Sequence, residues 1–235
     1  MRSQLLLTLL VALCLTWTGI CPACAEGVDL SGITARLAEE DIHVSEEQAK
    51  AFADIYKEGL DYMSQNSNVP FFLKPLLRSH FSSDSSLIHE LLFYIGKGDY
   101  DYETGAWTAT SSEVYAFDAE VFDIDHMYTL FLQGVQAIVP EIGITDIQED
   151  FDWDDIDGGT RGVSFVCNGT PYTVELESQG DWLNWEIVDF MNDVLRQEDC
   201  SGRLYGVTAD DDQMVILLYG SYGRAVAVSE LLGVR

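Results

Sequence analysis

GVSFVCNGTPYTVELE, residues 162–177, is the stretch that decides the fold class of this chain. Two runs rich in β-branched and aromatic residues flank Asn168-Gly169, and an Asn-Gly pair in that setting strongly favours a tight two-residue turn. The stretch therefore predicts a β-hairpin. A second hairpin is predicted where RLYGVT, residues 203–208, is followed by the turn DDDQ and by MVILLYG, residues 214–220.

The segment before the first hairpin alternates between apolar and polar residues, which predicts a strand with one acidic face. From Thr145 onward the inward positions are Ile147, Glu149, Phe151 and Trp153, and the outward ones are Asp146, Gln148, Asp150, Asp152 and Asp154. Another half-buried strand is predicted over EVYAFDAEVF, residues 113–122.

Helical spacing of apolar residues dominates before about residue 100. Ser45 and Gln48 form a capping-box pattern at the start of one helix. A broken segment at residues 70–81 and an apolar stripe with Asp84 as a candidate cap follow. Later helices are predicted before Pro140, after an Asp181 cap and at the C-terminus.

These patterns together predict an α+β fold, with an N-terminal helical region followed by an antiparallel sheet with helices packed on one face. Three parts are expected along the chain. Residues 1–25 would be a signal peptide, residues 26–105 the helical N-terminal region, and residues 106–235 an α+β domain.

The first 25 residues have the pattern of an export signal: Arg2, an apolar run, and the small-x-small triplet at residues 23–25. The alternatives are a retained membrane anchor, or a lipid attached to Cys21 or Cys24 in place of cleavage after Ala25. No later segment is long and apolar enough to span a bilayer. We expect a secreted or extracytoplasmic protein, and association with the cell surface is compatible with this pattern.

The chain carries 40 acidic and 12 basic residues, a formal net charge of −28. This surplus argues against nucleic acid and anionic lipid as partners, because both bind to cationic surfaces. Basic ligands and divalent cations remain compatible with it. A content of 47% hydrophobic residues indicates a folded protein and not a disordered acidic tail.

Two cysteines, Cys167 and Cys200, remain after residues 1–25 are set aside. In an exported protein an even remainder predicts one disulfide, and two buried free thiols are the alternative. A catalytic thiol is not indicated, because no nucleophile signature surrounds either residue.

A calcium site is one interpretation of EDFDWDDIDGG, residues 149–159, with the candidate ligands Asp152, Asp154 and Asp157. An EF-hand is excluded, because its ligand positions would fall on Trp153 and Ser164. The alternative is a solvated acidic face that deters pairing of strand edges. No other cofactor is expected.

Asp118 and Glu120 share one strand face and are candidates for the acid and base of a hydrolase. Polar outer faces also produce such pairs by default. No phosphate-binding glycine loop, serine elbow or dinucleotide fingerprint is present in the sequence. Trp107 is the candidate for ligand contact, while packing is the default for Trp182 and Trp185 beside their helix.

Three stretches carry a resemblance: YAFDAEVFDIDHMYTLFLQG at residues 115–134, GTRGVSFVCNGTPYTVE at 159–175, and DWLNWEIVDFMNDVL at 181–195. They are similar to the C-terminal part of uncharacterised exported proteins of Gram-positive anaerobes, over about half of the chain that follows residue 25. The resemblance implies an exported α+β protein. It brings no activity and no site residue.

The leading hypothesis is an exported, strongly acidic, non-catalytic binding protein that engages an extracellular protein, peptide or glycan. One alternative is a carboxylate-dependent hydrolase of cell-wall or dietary polymer. A second alternative is a calcium-stabilised surface protein.

Overall fold

The computed structural model describes residues 30–65, 83–101, 103–121, 123–156, 158–208 and 213–234. The predicted signal peptide, the segment at 70–81, Asp157 and the three aspartates of the second turn lie outside the described residues. The chain divides into two compact units, Met1–Leu91 and Leu92–Arg235. The sequence analysis expected the helical region to extend to residue 105.

The first unit is helical in its described part. It holds α1 (Ser31–Glu39), α2 (Glu46–Gln65) and the start of α3 (Asp84–Gly96). The capping box is confirmed, because Ser45 Oγ accepts from Gln48 N at 3.1 Å and Ser45 N donates to Gln48 Oε1 at 3.0 Å. At α3 the capping oxygen belongs to Ser83, which accepts from Ser86 N at 3.2 Å, and not to Asp84.

The second unit mixes strands and helices along the chain. The strands are β1 (Asp99–Asp101), β2 (Ala106–Thr108), β3 (Val114–Asp118), β4 (Ile144–Asp150), β5 (Thr160–Cys167), β6 (Thr170–Glu177), β7 (Arg203–Thr208) and β8 (Met214–Gly220). The helices are α4 (Met127–Ile138), α5 (Glu186–Gln197) and α6 (Tyr222–Leu231). Among the described strands every pairing is antiparallel, in the sheets β1-β2, β3-β8-β7 and β4-β5-β6. The predicted α+β class is confirmed, with three sheets in place of one.

The Asn-Gly hairpin is confirmed as the link between β5 and β6. Asn168 and Gly169 have φ of 49° and 91°, the positive values that a tight hairpin turn requires. Val163, Phe165 and Cys167 are buried on one face of β5, and the residues between them are partly exposed. The β4-β5-β6 sheet thus buries one face, as its alternation predicts.

Helices α4 and α5 form the layer that joins the two three-stranded sheets. Helix α4 contacts β3 and β4, and α5 contacts β6 and β7. The shared core includes Phe131 of α4, Met191 of α5, Phe165 of β5 and Leu217 of β8. In the described part of the chain, no helix is both long enough and apolar enough to cross a bilayer.

The β3-β8-β7 sheet is covered on both faces. Val215, Ile216, Leu217 and Leu218 are buried in succession along the central strand β8, whereas a half-exposed strand would alternate. Helix α6 contacts β7 and β8, with the Tyr222 ring 6.0 Å from that of Tyr205. This buried sheet holds the end of β3, where the predicted carboxylate pair lies, in a fixed position.

Candidate functional site

The chain that leaves β3 forms a short bridge with the segment before α5. Leu183 N donates to Ala119 O, and Val121 N donates to Asp181 O, both at 2.8 Å. Glu120 therefore lies directly opposite Trp182 in an antiparallel bridge. Side chains of directly opposed residues project to the same side, so the Glu120 carboxylate and the Trp182 indole are neighbours.

Gln213 brings the two predicted carboxylates together. Its Nε2 donates to Asp118 Oδ2 at 3.4 Å and to Glu120 Oε2 at 3.0 Å, and its backbone carbonyl accepts from Ala119 N at 2.7 Å. Asp118 is half-buried and Glu120 is exposed. The shared face that the sequence predicted for this pair is therefore present, with an amide between the carboxylates that the sequence did not indicate.

Two indoles of the segment before α5 are open to solvent. Trp182 is 40% exposed and Trp185 is 37% exposed. Trp185 rests on the backbone of Gly206, where an added Cβ would lie 3.0 Å from the indole ring, and its centroid is 6.3 Å from that of Phe117. Because Phe117 and Asp118 project to opposite faces of β3, the Trp185 ring lies on the other face from the Asp118 carboxylate. Asp118, Glu120, Trp182 and Gln213 are named the acidic–aromatic surface below.

The carboxylates at and next to this surface give it a negative charge. Glu120 and Glu186 are exposed, and Asp181 is half-buried. Among the described residues, none of these three carboxylates forms an ion pair with lysine, arginine or histidine. The surface therefore combines an exposed indole with a local negative potential.

Trp107, the other candidate for ligand contact, is half-buried and held by its own neighbours. Its Nε1 donates to Lys97 O at 2.8 Å, and its ring contacts the edge of the Tyr115 ring at a centroid distance of 5.6 Å. Gly98, with φ of 69°, lies under the indole so closely that a Cβ there would be 2.4 Å from the ring. The Trp107 N–H group is thus already used within the fold.

The candidate calcium ligands lie where β4 ends and a 3-10 turn (Trp153–Asp155) begins. Asp152 and Asp154 are exposed, and Asp152 Oδ1 caps the turn by accepting from Asp154 N at 2.9 Å. Asp157 lies outside the described residues. Within the described part of the chain no three acidic, histidine or cysteine residues converge as metal ligands. The calcium site stays a prediction.

Glu149 and Arg161 form a buried ion pair that the sequence analysis missed. Their side chains are 4% and 1% exposed, and Arg161 Nη1 donates to Glu149 Oε2 at 3.3 Å and to Ile124 O at 2.7 Å. Glu149 Oε1 also accepts from the N and Oγ1 of Thr129, both at 2.7 Å. The carboxylate therefore caps the first turn of α4. The one sequence signal was the position of Glu149 on the apolar face of β4.

Aromatic rings enclose the guanidinium of Arg161. Its Cζ lies 3.8 Å from the centroid of Phe151 and 5.7 Å from that of Tyr128. Burial raises the pKa of the Tyr128 hydroxyl, which accepts a hydrogen bond from Asn184 N at 3.3 Å. Because the groups in this cluster bind one another away from solvent, the cluster joins α4, β4 and β5 and offers no open reaction centre.

Cys167 and Cys200 are both buried free thiols, so the predicted disulfide is wrong for this structure. The prediction used the number of cysteines and the expected compartment, and neither fixes the geometry that a disulfide needs. Cys167 ends β5 with its side chain in the core, and Cys200 Sγ makes a weak 3.9 Å contact with Glu198 O. Both behave as small apolar residues.

Alkylation of the two thiols should depend on unfolding and on pH. Burial raises the pKa of Cys167 to about 11, with nearby Glu198 and Cys200 adding to the increase, and burial also raises the pKa of Cys200. We expect slow labelling of Cys167 by iodoacetamide at pH 8, because only ~0.1% of such a thiol is ionised there. Labelling should accelerate as the pH rises toward 11.

The measurement is peptide mass spectrometry after alkylation without reductant, in buffer and in guanidinium. In guanidinium the peptides containing Cys167 and Cys200 should each carry the alkyl group. Recovery of the two peptides joined through sulfur would contradict the free-thiol state.

No known protein family, no curated protein and no solved structure matches this chain. The resemblance to exported proteins of Gram-positive anaerobes therefore stays an expectation.

Proposed function

We propose that this is an exported, non-catalytic binding protein, and that its acidic–aromatic surface engages a protein, peptide or glycan outside the cytoplasm. The observation that carries the proposal is the solvent-open Trp182 indole opposite Glu120, whose carboxylate shares the Gln213 amide with Asp118. Indoles provide a large contact area at a low cost in side-chain entropy.

The surface is held in place before any ligand arrives. Trp182 belongs to a bridge with two backbone hydrogen bonds of 2.8 Å, and the backbone carbonyl of Gln213 accepts from Ala119 N at 2.7 Å next to that bridge. Rigid contact groups lose little conformational freedom on association, which favours affinity.

Binding is favoured over hydrolysis by the surroundings of the carboxylates. A general acid in a hydrolase is usually placed in an apolar environment that keeps it protonated near neutral pH. Glu120 is exposed, and both carboxylates accept from the same Gln213 amide. The hydrolase alternative therefore depends on Asp118, which is half-buried, acting without a second shielded carboxyl group.

A pull-down combined with an activity screen tests the proposal. Cell-wall fractions and host extracellular proteins are passed over the wild type, Trp182→Ala and the control Tyr222→Ala, whose ring is 70% exposed on α6. We expect retention by the wild type and the control, loss with Trp182→Ala, and no turnover. Turnover that Asp118→Asn abolishes would instead favour the hydrolase.

Export and calcium are tested separately. The N-terminus of protein recovered from the culture medium should begin near residue 26 if the export signal is cleaved. For the calcium alternative, Tm is compared with and without chelator. An unchanged Tm would remove that alternative, because a ligand of the folded state raises its stability.

A further inference from the structure

We propose that the occupant of the acidic–aromatic surface is a cationic peptide segment, in which lysine or arginine side chains contact the Trp182 indole and the carboxylates. This inference rests on the proposed function and narrows it to one class of partner. The proposed partner is a basic polypeptide, and binding of an uncharged glycan is the competing outcome of the test.

The charges around Trp182 complement a cationic partner. Glu120 lies opposite Trp182 and Asp181 directly precedes it, and neither carboxylate forms an ion pair with a basic residue in the described parts of the chain. The whole chain has a net charge of −28, so the long-range field has the same sign as the local one. Such a field attracts cationic partners and repels anionic ones, including acidic polymers.

The side chains also offer the kind of contact that a basic side chain makes. Glu120 lies opposite Trp182 in the bridge, so one cationic group can lie over the indole face and donate a hydrogen bond to the carboxylate. The Trp182 side chain is 40% exposed, so its ring is accessible to such a group. An uncharged sugar would use the ring faces but would leave the carboxylate charges uncompensated.

Isothermal titration calorimetry with three probes tests the inference: a lysine–glycine peptide, a length-matched glutamate–glycine peptide, and a neutral oligosaccharide. The lysine–glycine peptide should bind, and its affinity should fall as sodium chloride is raised. The glutamate–glycine peptide should not bind. Trp182→Ala should lower the affinity for the lysine–glycine peptide about twofold to thirtyfold, the range expected for loss of one cation–π contact.

Two charge variants separate a local effect from the total charge. Asp118→Asn with Glu120→Gln removes two charges at the surface while keeping the size of both side chains. Glu175→Gln with Glu177→Gln removes two charges from exposed positions of β6. The first variant should lower the affinity for the lysine–glycine peptide several-fold more than the second, because only the Asp118 and Glu120 charges lie next to the bound cation.

The outcomes distinguish this inference from the proposed function. Oligosaccharide binding that Trp182→Ala abolishes, without binding of the lysine–glycine peptide, would overturn the cationic partner and keep the binding surface. Equal weakening by the two charge variants would also overturn it, since binding would then follow total charge alone. If no probe responds to Trp182→Ala, the cationic partner is overturned, and the pull-down with Trp182→Ala decides on the binding surface.

Discussion

Replacing Arg161 with methionine is expected to lower the free energy of unfolding by about 3–5 kcal/mol. The substitution leaves the Glu149 carboxylate, 4% exposed, without its cationic partner, and Ile124 O loses the donor that lies at 2.7 Å. A buried charge without compensation is among the most destabilising results of a single substitution. Urea denaturation followed by circular dichroism measures the change.

Two further variants test whether the loss of stability arises from burial of the ion pair. Arg161→Met combined with Glu149→Gln should be more stable than Arg161→Met alone, because the neutral amide can still accept from Thr129 N. Arg196→Met breaks a pair with Asp193 in which both side chains are more than 60% exposed, and it should cost less than about 1 kcal/mol. Similar losses for Arg161→Met and Arg196→Met would show that the Arg161 pair is solvated.

Replacing Gly134 with alanine is expected to destabilise the second unit by about 1–3 kcal/mol. Gly134 lies in α4, and a Cβ there would be 2.3 Å from the ring of Tyr115. That ring cannot move freely, because it packs at centroid distances of 5.1 Å from Phe117 and 5.6 Å from Trp107. The clash should exceed the gain of about 1 kcal/mol that alanine has over glycine in a helix. Thermal and urea unfolding both report it.

Gly223 provides the matched control for Gly134. Gly223 also lies in a helix of the second unit, α6. A Cβ added there would have Ser221 Oγ as its nearest neighbour, at 3.8 Å. Gly223→Ala should therefore leave stability unchanged or raise it by up to about 1 kcal/mol. A loss for Gly223→Ala equal to that for Gly134→Ala would contradict the packing explanation.

The hairpins were predictable because their signals are local. The segments RLYGVT and MVILLYG became β7 and β8 with the same bounds, and Asn168-Gly169 became the turn between β5 and β6. The capping box at Ser45 was predictable for the same reason, since both of its hydrogen bonds join residues three positions apart.

Features that depend on distant residues were not predictable. Asp181 was expected to cap a helix, but its segment pairs with residues 119–121, and α5 begins at Glu186, whose N donates to Asn184 Oδ1 at 2.9 Å. The burial of Arg161 depends on Ile124 and Glu149, which come from another helix start and another strand. The spacing of residues along the sequence does not indicate such contacts.

The candidate site was predictable only in part. The sequence placed Asp118 and Glu120 on one face, because residues two apart in a strand share a side. It did not indicate that Trp182 lies opposite Glu120, because 62 positions separate them in the chain and the bridge joins two irregular segments. It favoured Trp107 as the ligand contact, since a loop next to glycine and tyrosine is typical of exposed aromatics.

The most direct test of the account is an NMR titration that follows the indole N–H signals of the tryptophans, each assigned by its tryptophan-to-phenylalanine substitution. The ligand is whichever fraction or peptide the wild type retains. Recognition at the acidic–aromatic surface predicts that the signal of Trp182 shifts, while that of Trp107, bonded to Lys97 O at 2.8 Å, stays in place. A shift of the Trp107 signal with that of Trp182 unchanged would contradict the account.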